Sequence, residues 1–323
     1  MSQGEVAAGL ARLGLGAIAD VALLTGGASM ETWAFVADDA PLILRRRGTA
    51  PAQEHPGKKP PLDREAEVIG AAVAAGVPAP EVVRVCTPED GLGEAYVMRR
   101  VAGETLGKRI VRDAVFAPAR AVLARQCGAA LARIHATVPP GGLETIDAAG
   151  TLASYEATWR ASGAVRPTIE AAFRWLERRL PAEPVAPRLV HGDFRNGNLM
   201  IDPRDGLSAV LDWELAHLGD PAEDIGWICT NSWRFGRPDR RVGGFGDLDD
   251  LLAGYADAGG MAIAPERIDF WQVLGSLKWG VMTTMMYARF AADPTAGPER
   301  AVIGRRLSET EADIVAIMEW TAR

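Results

Sequence analysis

The stretch HGDFRNGNLMID occupies residues 191–202, and the apolar segment AVLDWE follows it at residues 209–214. Asn198 comes five positions after Asp193, and Asp212 comes nineteen positions after Asp193. If Leu199 and Leu211 lie on the two arms of a β-hairpin, Asp212 folds back beside the other two side chains. The sequence therefore predicts two carboxylates and one carboxamide at the same end of a small pair of strands.

All the side-chain ligands in this group are oxygen atoms, which suits a hard cation. Mg²⁺ in particular is commonly held by one or two carboxylates together with the phosphates of a substrate. Asp and Asn are also frequent turn and cap residues, so no single one of these positions carries weight alone. The order and spacing of the whole group support the prediction of a magnesium site.

The segment HGDFRNGNLMID…AVLDWELAHLGDPAEDIGW resembles the catalytic segment of the aminoglycoside phosphotransferase and choline kinase-like enzymes, which are relatives of protein kinases. It has the H-G-D-x-x-x-x-N loop of that family and the later hydrophobic-D-x-D/E motif. The resemblance implies an α+β, protein-kinase-like, two-lobed fold with a small β-rich N-terminal lobe and a larger, mainly helical C-terminal lobe. We expect residues 1–99 to form the nucleotide-binding lobe and residues 100–323 the lobe with the catalytic loop and acceptor site.

The resemblance also implies roles for individual residues. Asp193 would be catalytic, accepting or orienting the proton of a substrate hydroxyl, and Asn198 and Asp212 would bind Mg²⁺. Glu214 either contacts the metal through water or acts only as a cap. Asp224 either holds the catalytic loop by hydrogen bonds or interacts with the terminus of its helix.

His191, at the head of the catalytic loop, is expected to brace the loop rather than to take part in chemistry. Two short strands, RLVHGD and SAVLDW, are expected to form a pair on either side of the motif.

The first hundred residues predict a strand, a hairpin, a helix and two further strands. The strand residues alternate in polarity, and the segment DREAEVIGAAVAAG at 63–76 has the pattern of a helix. Asp63 is expected to cap this helix, and Gly76, with Pro78 after it, to end it. Beyond Gly103 the pattern becomes mainly helical.

Three parts of a nucleotide site are expected in this N-terminal half. In LTGGASMETW, Gly26, Gly27 and Ser29 could cover phosphates, because glycines allow the backbone to approach them closely; a plain hairpin turn is the alternative. In EAYVMRRVAGETL, the backbone near Val97, Met98 and Arg99 would bond to adenine. This second expectation comes from the resemblance to the family hinge.

The third part is a phosphate-binding cation, and here the sequence departs from the family pattern. The strand LILRRR has no lysine, so Arg45 is the candidate, with Arg46 as the competitor if the register shifts by one residue. Arginine is planar and longer than lysine, so the replacement is not neutral. Glu65 on the following helix is expected to pair with this cation, and Glu67 is the alternative.

The sequence as a whole favours an ATP- and Mg²⁺-dependent enzyme that transfers the γ-phosphate to a hydroxyl group of a small molecule. Residues 223–300 contain 11 acidic and 8 basic residues, so this region is only slightly acidic. A polycationic aminoglycoside would need a strongly acidic pocket. An unknown hydroxylated metabolite, for which a hydroxyacyl-CoA is one candidate, is therefore preferred as acceptor. A pseudokinase-like nucleotide-binding module is the alternative, and a metal-dependent hydrolase is a third possibility.

Composition limits the partners further. The 323 residues carry a net charge of −7 with a pI near 5.3, which gives no general attraction for nucleic acid or anionic lipid. No apolar segment is long enough and free enough of charge to span a membrane, and the N-terminus lacks the pattern of a signal peptide. We therefore expect a cytoplasmic protein that binds neither nucleic acid nor membrane, and the sequence leaves its oligomeric state open.

Overall fold

An antiparallel sheet of five strands forms the N-terminal part of the chain. The computed structural model describes residues 1–24, 30–48, 60–182, 185–293, 295 and 297–321. The predicted phosphate loop with Gly26, Gly27 and Ser29 lies outside the described residues. The sheet has the order β1-β2-β3-β5-β4, and its strands are β1 (Ile18–Leu24), β2 (Met30–Ala37), β3 (Ala40–Arg47), β4 (Val82–Val85) and β5 (Ala95–Arg99).

The two faces of the sheet have different neighbours. Trp33 and Leu44, which are opposite each other across β2 and β3, are buried against the N-terminal helix α1 (Gln3–Arg12). Successive side chains of a strand point to opposite faces. Residues one position away, such as Arg45 and its cross-strand partner Tyr96, therefore lie on the face that is turned away from α1.

The helix α2 (Leu62–Ala74) packs on this second face, close to β4 and β5. It ends as predicted, because Gly76 adopts φ of 81°, a conformation that glycine adopts without strain. The prediction of Asp63 as its N-cap was wrong. The helix begins at Leu62, with Pro61 at the cap position and no hydrogen bond from the cap side chain, so Asp63 lies within the first turn.

Helices make up most of the chain beyond residue 103, and the two-lobed arrangement predicted from the sequence is confirmed. Within the described part of the chain, no helix has the length and apolar character needed to cross a membrane. The helices of this lobe are α3 (Gly107–Arg112), α4 (Ala117–Ala136), α5 (Ala148–Ser162), α6 (Pro167–Glu177), α7 (Ala222–Ile228), α8 (Leu248–Asp257), α9 (Pro265–Ala292), α10 (Pro298–Gly304) and α11 (Leu307–Trp320).

Two short two-stranded sheets carry the motif at residues 191–214. They pair β6 (Arg188–Val190) with β9 (His217–Gly219), and β7 (Leu199–Asp202) with β8 (Gly206–Val210). The expectation that RLVHGD and SAVLDW pair with each other was wrong. The turn at residues 203–205 joins β7 to β8 locally, so β6 is left to pair with the later strand β9.

The segment that joins the lobes is fixed to the hairpin of β7 and β8, which we call the catalytic hairpin after its place in the predicted catalytic segment. Glu104 and Ile201 exchange both of their backbone hydrogen bonds, each at 2.9 Å between nitrogen and oxygen. Gly103 makes this close approach possible, because a Cβ atom there would lie 2.8 Å from the Met200 side chain and 2.9 Å from the Ile201 carbonyl oxygen. The predicted lobe boundary between residues 99 and 100 falls at the end of β5.

Candidate active site

The carboxylate of Asp193 is held by three side-chain donors. Its Oδ1 accepts hydrogen bonds from Trp227 Nε1 at 2.7 Å and from Arg195 Nε at 2.9 Å. Its Oδ2 accepts one from Asn198 Nδ2 at 2.6 Å. These bonds fix the orientation of the carboxylate, so it can direct a neighbouring hydroxyl group without first having to be ordered.

Asp224 holds the loop that carries Asp193. It is fully buried, and its two oxygens accept hydrogen bonds from the backbone nitrogens of His191 at 2.8 Å and Gly192 at 2.9 Å. His135 Nε2 lies 3.2 Å from Oδ2 of the same carboxylate, and its Nδ1 lies 2.9 Å from the hydroxyl of Tyr255. Of the two roles considered for Asp224, the structure favours that of holding the catalytic loop.

His191 links this loop to the strand that precedes Asp212. Its Nε2 lies 3.0 Å from the carbonyl oxygen of Leu211, and its Nδ1 lies 3.2 Å from the backbone nitrogen of Asp193. If Nε2 carries the proton, it donates to the carbonyl and Nδ1 accepts. Burial lowers the pKa of His191, which favours the neutral ring that this arrangement needs. His191 therefore fits the bracing role expected from the sequence.

The hairpin β7–β8 brings Asp212 back to the catalytic loop, as the spacing predicted. The backbone nitrogen of Leu211 donates to the carbonyl oxygen of Asn198 at 2.8 Å, so the next residue, Asp212, lies beside Asn198. Asp212 has φ of 64°, a left-handed conformation that is uncommon outside glycine and is concentrated at functional sites.

Arg45 crosses the cleft between the lobes and lies among three carboxylates. Its guanidinium nitrogen Nη2 lies 2.5 Å from Asp212 Oδ1 and 3.5 Å from Glu214 Oε2, and its Nε lies 3.2 Å from Glu65 Oε1. Tyr96, opposite Arg45 in the sheet, donates its hydroxyl to the same Glu65 oxygen at 2.9 Å. The arginine thus joins the sheet, α2 and the catalytic hairpin.

Burial and charge shift the pKa values of this group in opposite directions. Burial raises the pKa of Glu65 to about 7, although Arg45 opposes that rise. For Arg45, burial favours a lower pKa, but the carboxylates of Glu65 and Asp212 outweigh it and raise the pKa. For Asp212, burial favours a higher pKa, and the neighbouring Arg45 reverses this and lowers it. Asp212 and Arg45 are therefore held in their charged forms.

The competing residues considered in the sequence lie elsewhere. Arg46 is on the α1 face of the sheet, where it contacts Glu31 Oε2 at 2.6 Å and the carbonyl oxygen of Leu92 at 3.1 Å. Glu67 is exposed on α2 and pairs with Arg64. The structure thus places Arg45 and Glu65, rather than these neighbours, in the cleft.

The expected adenine-binding segment lies on β5, between β3 and β4. Val97 is buried and opposite Leu44, Met98 is partly buried, and Arg99 is exposed and paired with Glu81. The backbone nitrogens of Arg99 and Arg100 already donate to carbonyl oxygens of Glu81 and Pro41. A base at the end of β5 would therefore use carbonyl oxygens here or the amides that follow.

The oxygen atoms around Asp212 fit the part of a magnesium site that a protein supplies. The amide nitrogen of Asn198 is committed to Asp193, which leaves its carbonyl oxygen as the ligand atom. Among the residues with described positions, no group of three or more His, Cys, Asp or Glu side chains is arranged to hold a metal ion by itself. Two oxygen ligands would accordingly have to be supplemented by phosphate or water.

A cavity of about 510 Å³ opens next to the catalytic loop. Gly192 and Leu215 form the wall nearest to the loop. Its buried wall contains five polar side chains, Thr151, Tyr155, His217, Glu223 and Lys278, whereas Glu144 and Asp147 lie at its exposed rim. We refer to this space as the loop cavity.

Three charged groups meet in the buried wall of the loop cavity. Lys278 Nζ lies 3.2 Å from Glu223 Oε1, and His217 Nε2 lies 3.3 Å from Glu223 Oε2. Burial alone would raise the pKa of Glu223, but Lys278 and His217 lower it to about 2. The carboxylate therefore remains charged over the whole physiological range.

Replacement of Glu223 by glutamine is expected to destabilise the protein in a pH-dependent way. The buried ammonium of Lys278 would lose its carboxylate, which typically costs about 3–5 kcal/mol. The folded pKa of about 2 lies below the ordinary value of 4.5, so the contribution is complete above pH 4.5 and is lost as the pH falls towards 2. Urea unfolding of the wild type and Glu223→Gln at pH 7 and at pH 3 measures this.

Glu67→Gln is the matched control for this change, since Glu67 is an exposed glutamate that pairs with an arginine. It is expected to change the free energy of unfolding by less than about 0.5 kcal/mol at both pH values. An equal loss for Glu223→Gln at both pH values would contradict the linkage argument.

Five residues of the site had no role predicted from the sequence: Arg195, Trp227, His217, Glu223 and Lys278. Arg195 lies inside the quoted motif but had no assigned role. Lys278 had a usable signal, because it is a single lysine in the apolar helix segment VLGSLKWGV, and a lone charge there implies a buried partner. Nothing in the sequence signals the bond from Trp227 to Asp193, which joins residues 34 positions apart.

The sheet, the helical lobe and the cleft between them define a two-lobed fold of the protein-kinase type, with an Asp–Asn–Asp group on a catalytic hairpin. A model of the phosphotransferase enzyme family (APH) matches residues 20–271. The chain belongs to this family, and the resemblance predicted from its motifs is confirmed.

Solved structures show the same fold over nearly the whole chain. A Ralstonia eutropha protein named after the aminoglycoside phosphotransferases superposes with a TM-score of 0.73 at 20% identity, covering 98% of each chain. A choline/ethanolamine kinase family protein from Mesorhizobium loti gives 0.65 at 22% identity, over 99% of this chain and 95% of that one. Aminoglycoside phosphotransferase APH(4)-Ia, solved with ADP and hygromycin B, gives 0.62 at 16% identity over 97% of each chain.

The curated relatives are longer proteins. Acyl-CoA dehydrogenase family member 11 of Gallus gallus is 27% identical over 272 residues, which cover 77% of this chain and 34% of that protein. Its counterpart in Rattus norvegicus is 33% identical over 52% of this chain and 24% of that protein. The chain thus spans about a third or less of the length of these relatives.

Proposed function

We propose that the protein transfers the γ-phosphate of ATP to a hydroxyl group of a small molecule in a Mg²⁺-dependent reaction. The observation that carries this proposal is the fixed carboxylate of Asp193, held by Trp227, Arg195 and Asn198 at 2.6–2.9 Å. Membership of the phosphotransferase enzyme family supports it.

The nucleotide would lie in the cleft that Arg45 crosses. Arg45, oriented by Glu65, would bind phosphate oxygens. The adenine would lie against the end of β5, at Val97, Met98 and Arg99. Gly26, Gly27 and Ser29, which are outside the described residues, would cover the phosphates.

Asn198 and Asp212 would hold Mg²⁺, which supplies charge neutralisation to the phosphates when bound. Asp193 would act on the acceptor. It would orient the acceptor hydroxyl and receive its proton as the oxygen bonds to the γ-phosphorus and the bond to the ADP oxygen breaks. No covalent enzyme intermediate is involved, and most of the rate acceleration comes from positioning and electrostatics.

The acceptor is proposed to be a hydroxylated metabolite, with a hydroxyacyl-CoA as one candidate and an aminoglycoside as a less favoured one. Two findings support this order. Polycationic acceptors need a strongly acidic pocket, whereas the glutamate in the buried wall of the loop cavity is neutralised by Lys278 and His217. In addition, the curated relatives are named as acyl-CoA dehydrogenases, so acyl-CoA derivatives belong among the acceptors to be tested.

One observation favours a second function, that of a nucleotide-binding module without turnover. Arg45 occupies the position of the family's lysine. Its Nη2 lies 2.5 Å from Asp212 Oδ1, and Asp212 is one of the two residues, with Asn198, that would bind the metal. If Arg45 retained this position when nucleotide binds, metal binding and turnover would be weakened. The intact Asp193 and Asn198 argue for the catalytic function instead.

Phosphoryl transfer can be tested directly with purified protein, Mg²⁺ and γ-labelled ATP. The acceptor panel should contain aminoglycosides, choline-like alcohols, sugars and hydroxyacyl-CoAs, with Asp193→Asn as the inactive control. Label that moves to one acceptor class, and is lost in the variant, supports the proposal. Label released only as inorganic phosphate indicates a hydrolase, and tight nucleotide binding without transfer to any acceptor supports the non-catalytic module.

Replacement of Arg45 by methionine is expected to raise the Kd for ATP by about 10- to 100-fold, because a charge-assisted phosphate contact is lost. Arg47→Met is the matched control, since Arg47 lies two residues along the same strand, and its guanidinium is over one-third exposed and paired with Glu94. The control is expected to change Kd by less than about twofold. Isothermal titration with AMP-PNP and Mg²⁺ measures both. Equal effects of the two substitutions would remove Arg45 from the nucleotide site.

A further inference from the structure

We propose that the loop cavity is the acceptor site and that Lys278 in its wall binds an anionic group of the acceptor. The acceptor class is then a hydroxylated molecule that also carries a carboxylate or a phosphate. This inference rests on the proposed function, because it assigns the acceptor of that reaction.

The position of the cavity supports an acceptor role. Two of its wall residues, Gly192 and Leu215, directly adjoin Asp193 and Glu214 in the sequence. The volume of about 510 Å³ is within the range of small-molecule sites and can hold a small metabolite. A molecule in this cavity would therefore lie next to the loop that carries the catalytic carboxylate.

Lys278 supplies the recognition element. Its side chain is 9% exposed, and its Nζ donates to Glu223 at 3.2 Å, the one hydrogen bond that it makes to the residues in the described ranges. An ammonium group has three N–H donors, so two remain for a ligand. A buried ammonium with donors to spare, in the wall of a cavity, favours an anionic oxygen as its additional partner.

Aromatic rings hold this ammonium and connect it to the catalytic carboxylate. Lys278 Nζ lies 5.0 Å from the ring centre of Trp227 and 5.8 Å from that of Tyr155, both within the range of cation–π contacts. Trp227 is also the residue that donates to Asp193 at 2.7 Å. One indole ring thus separates the proposed anion-binding group from Asp193, so the hydroxyl and the anionic group of the acceptor must be only a few bonds apart.

The charge of the buried wall of the cavity suits an anionic ligand, while the carboxylates of Glu144 and Asp147 lie at the exposed rim. Glu223 is balanced by Lys278 and by His217, whose pKa is raised: burial alone would lower it, but Glu223 outweighs burial. Asp193, the other carboxylate near Lys278, is paired with Arg195 at 2.9 Å. The buried wall is therefore neutral or positive, whereas a polyamine acceptor would need an excess of negative charge there.

The central comparison of the test is between an acid and a diol that differ in the proposed anionic group, and a CoA thioester and an aminoglycoside are added to it. The probes are 3-hydroxybutyrate, 1,3-butanediol, which has the same carbon chain and secondary hydroxyl, 3-hydroxybutyryl-CoA and kanamycin. The variant is the double substitution Lys278→Met with Glu223→Gln, which removes both charges together and so avoids leaving either buried and unpaired. Lys108→Met, at an exposed lysine on α3, is the matched control.

With wild-type protein, kcat/KM for an anionic acceptor is expected to exceed that for the diol by about 10- to 100-fold, which is the usual contribution of one charge-assisted hydrogen bond. The ratio should fall to about one in the double variant, through loss of kcat/KM for the acid, and stay unchanged in Lys108→Met. Preference for the free acid assigns the anionic group to a carboxylate close to the hydroxyl, whereas preference for the CoA thioester over both the acid and the diol overturns the inference, because the CoA phosphates lie many bonds from the hydroxyl. Equal use of acid, thioester and diol, or a preference for kanamycin, overturns the inference.

Failure of the proposed function can be separated from failure of this inference by measuring binding. If no probe is phosphorylated, calorimetry with the same probes and Asp193→Asn replaces the kinetic assay. Tighter binding of 3-hydroxybutyrate than of the diol, lost when Lys278 and Glu223 are also replaced, supports the anion site without the reaction. Binding that does not differ between acid, thioester and diol, or that survives the double substitution, overturns it.

Discussion

Asp193→Asn is expected to lower kcat by about 10²- to 10⁴-fold, the usual contribution of a positioned acid–base group. The substitution keeps the size of the side chain but removes its negative charge and its capacity to take a proton. It also changes the local hydrogen bonds, because an amide nitrogen must then face either Asn198 Nδ2 or the two donors Trp227 and Arg195. Rotation of the Asn198 amide would relieve the first of these contacts.

The measurement for this prediction is kcat and KM on the acceptor identified by the panel, together with the Kd for AMP-PNP. The Kd is expected to stay within about tenfold of wild type, because Asp193 does not contact the nucleotide in the proposed arrangement. Asp205→Asn, an exposed aspartate in the β7–β8 turn, is the control and should leave kcat unchanged. A kcat for Asp193→Asn within about threefold of wild type would mean that this carboxylate is not the acceptor-directing group.

Asp224→Ala is expected to reduce the free energy of unfolding by about 3–5 kcal/mol. The buried backbone N–H groups of His191 and Gly192 would lose their acceptors, as would His135, and each unsatisfied buried group costs about 1–3 kcal/mol. Gly192 can relax little in response. It has φ of 77°, and a Cβ atom there would lie 2.4 Å from the carbonyl oxygen of Leu215.

A control in another helix separates the two roles considered for Asp224. Asp249 is also in the first turn of its helix, α8, but is exposed, so Asp249→Ala removes only a favourable interaction with the helix terminus. That loss is expected to be about 0.3–1 kcal/mol. Urea unfolding of both variants gives the comparison. Similar losses would indicate that Asp224 also acts mainly on its helix terminus rather than on the catalytic loop.

Local sequence patterns were sufficient for much of the fold. Alternating strand residues, a helix ended by Gly76 and a hairpin that returns Asp212 to Asn198 all depend on neighbours within about twenty residues. The pairing of β6 was wrong for the opposite reason. Its partner β9 lies beyond the whole β7–β8 hairpin, and three-residue strands carry too little pattern to identify a distant partner.

The sequence alone could not decide between Arg45 and Arg46 as the cation in the cleft. Alternation requires Arg45 and Arg46 to point to opposite faces of β3, but it does not say which face meets the second lobe. The answer depends on α1 covering one side of the sheet, which makes Arg46 a partner of Glu31 and leaves Arg45 for Glu65 and Asp212. The loop cavity is harder still, since α5, α7, α9 and β9 must be assembled before its wall exists.

The two hydrogen bonds between Glu104 and Ile201 limit how the two lobes can move against each other. They attach the start of the second lobe to the catalytic hairpin as firmly as a strand in a sheet, while Arg99 and Arg100 are attached to the first lobe through Glu81 and Pro41. Between these anchors the main chain passes from one lobe to the other through Val101, Ala102 and Gly103. The Val210 nitrogen donates to the Pro78 carbonyl oxygen at 2.7 Å and joins the lobes at a second point. Opening of the cleft would thus be resisted by two backbone connections, one covalent and one hydrogen-bonded.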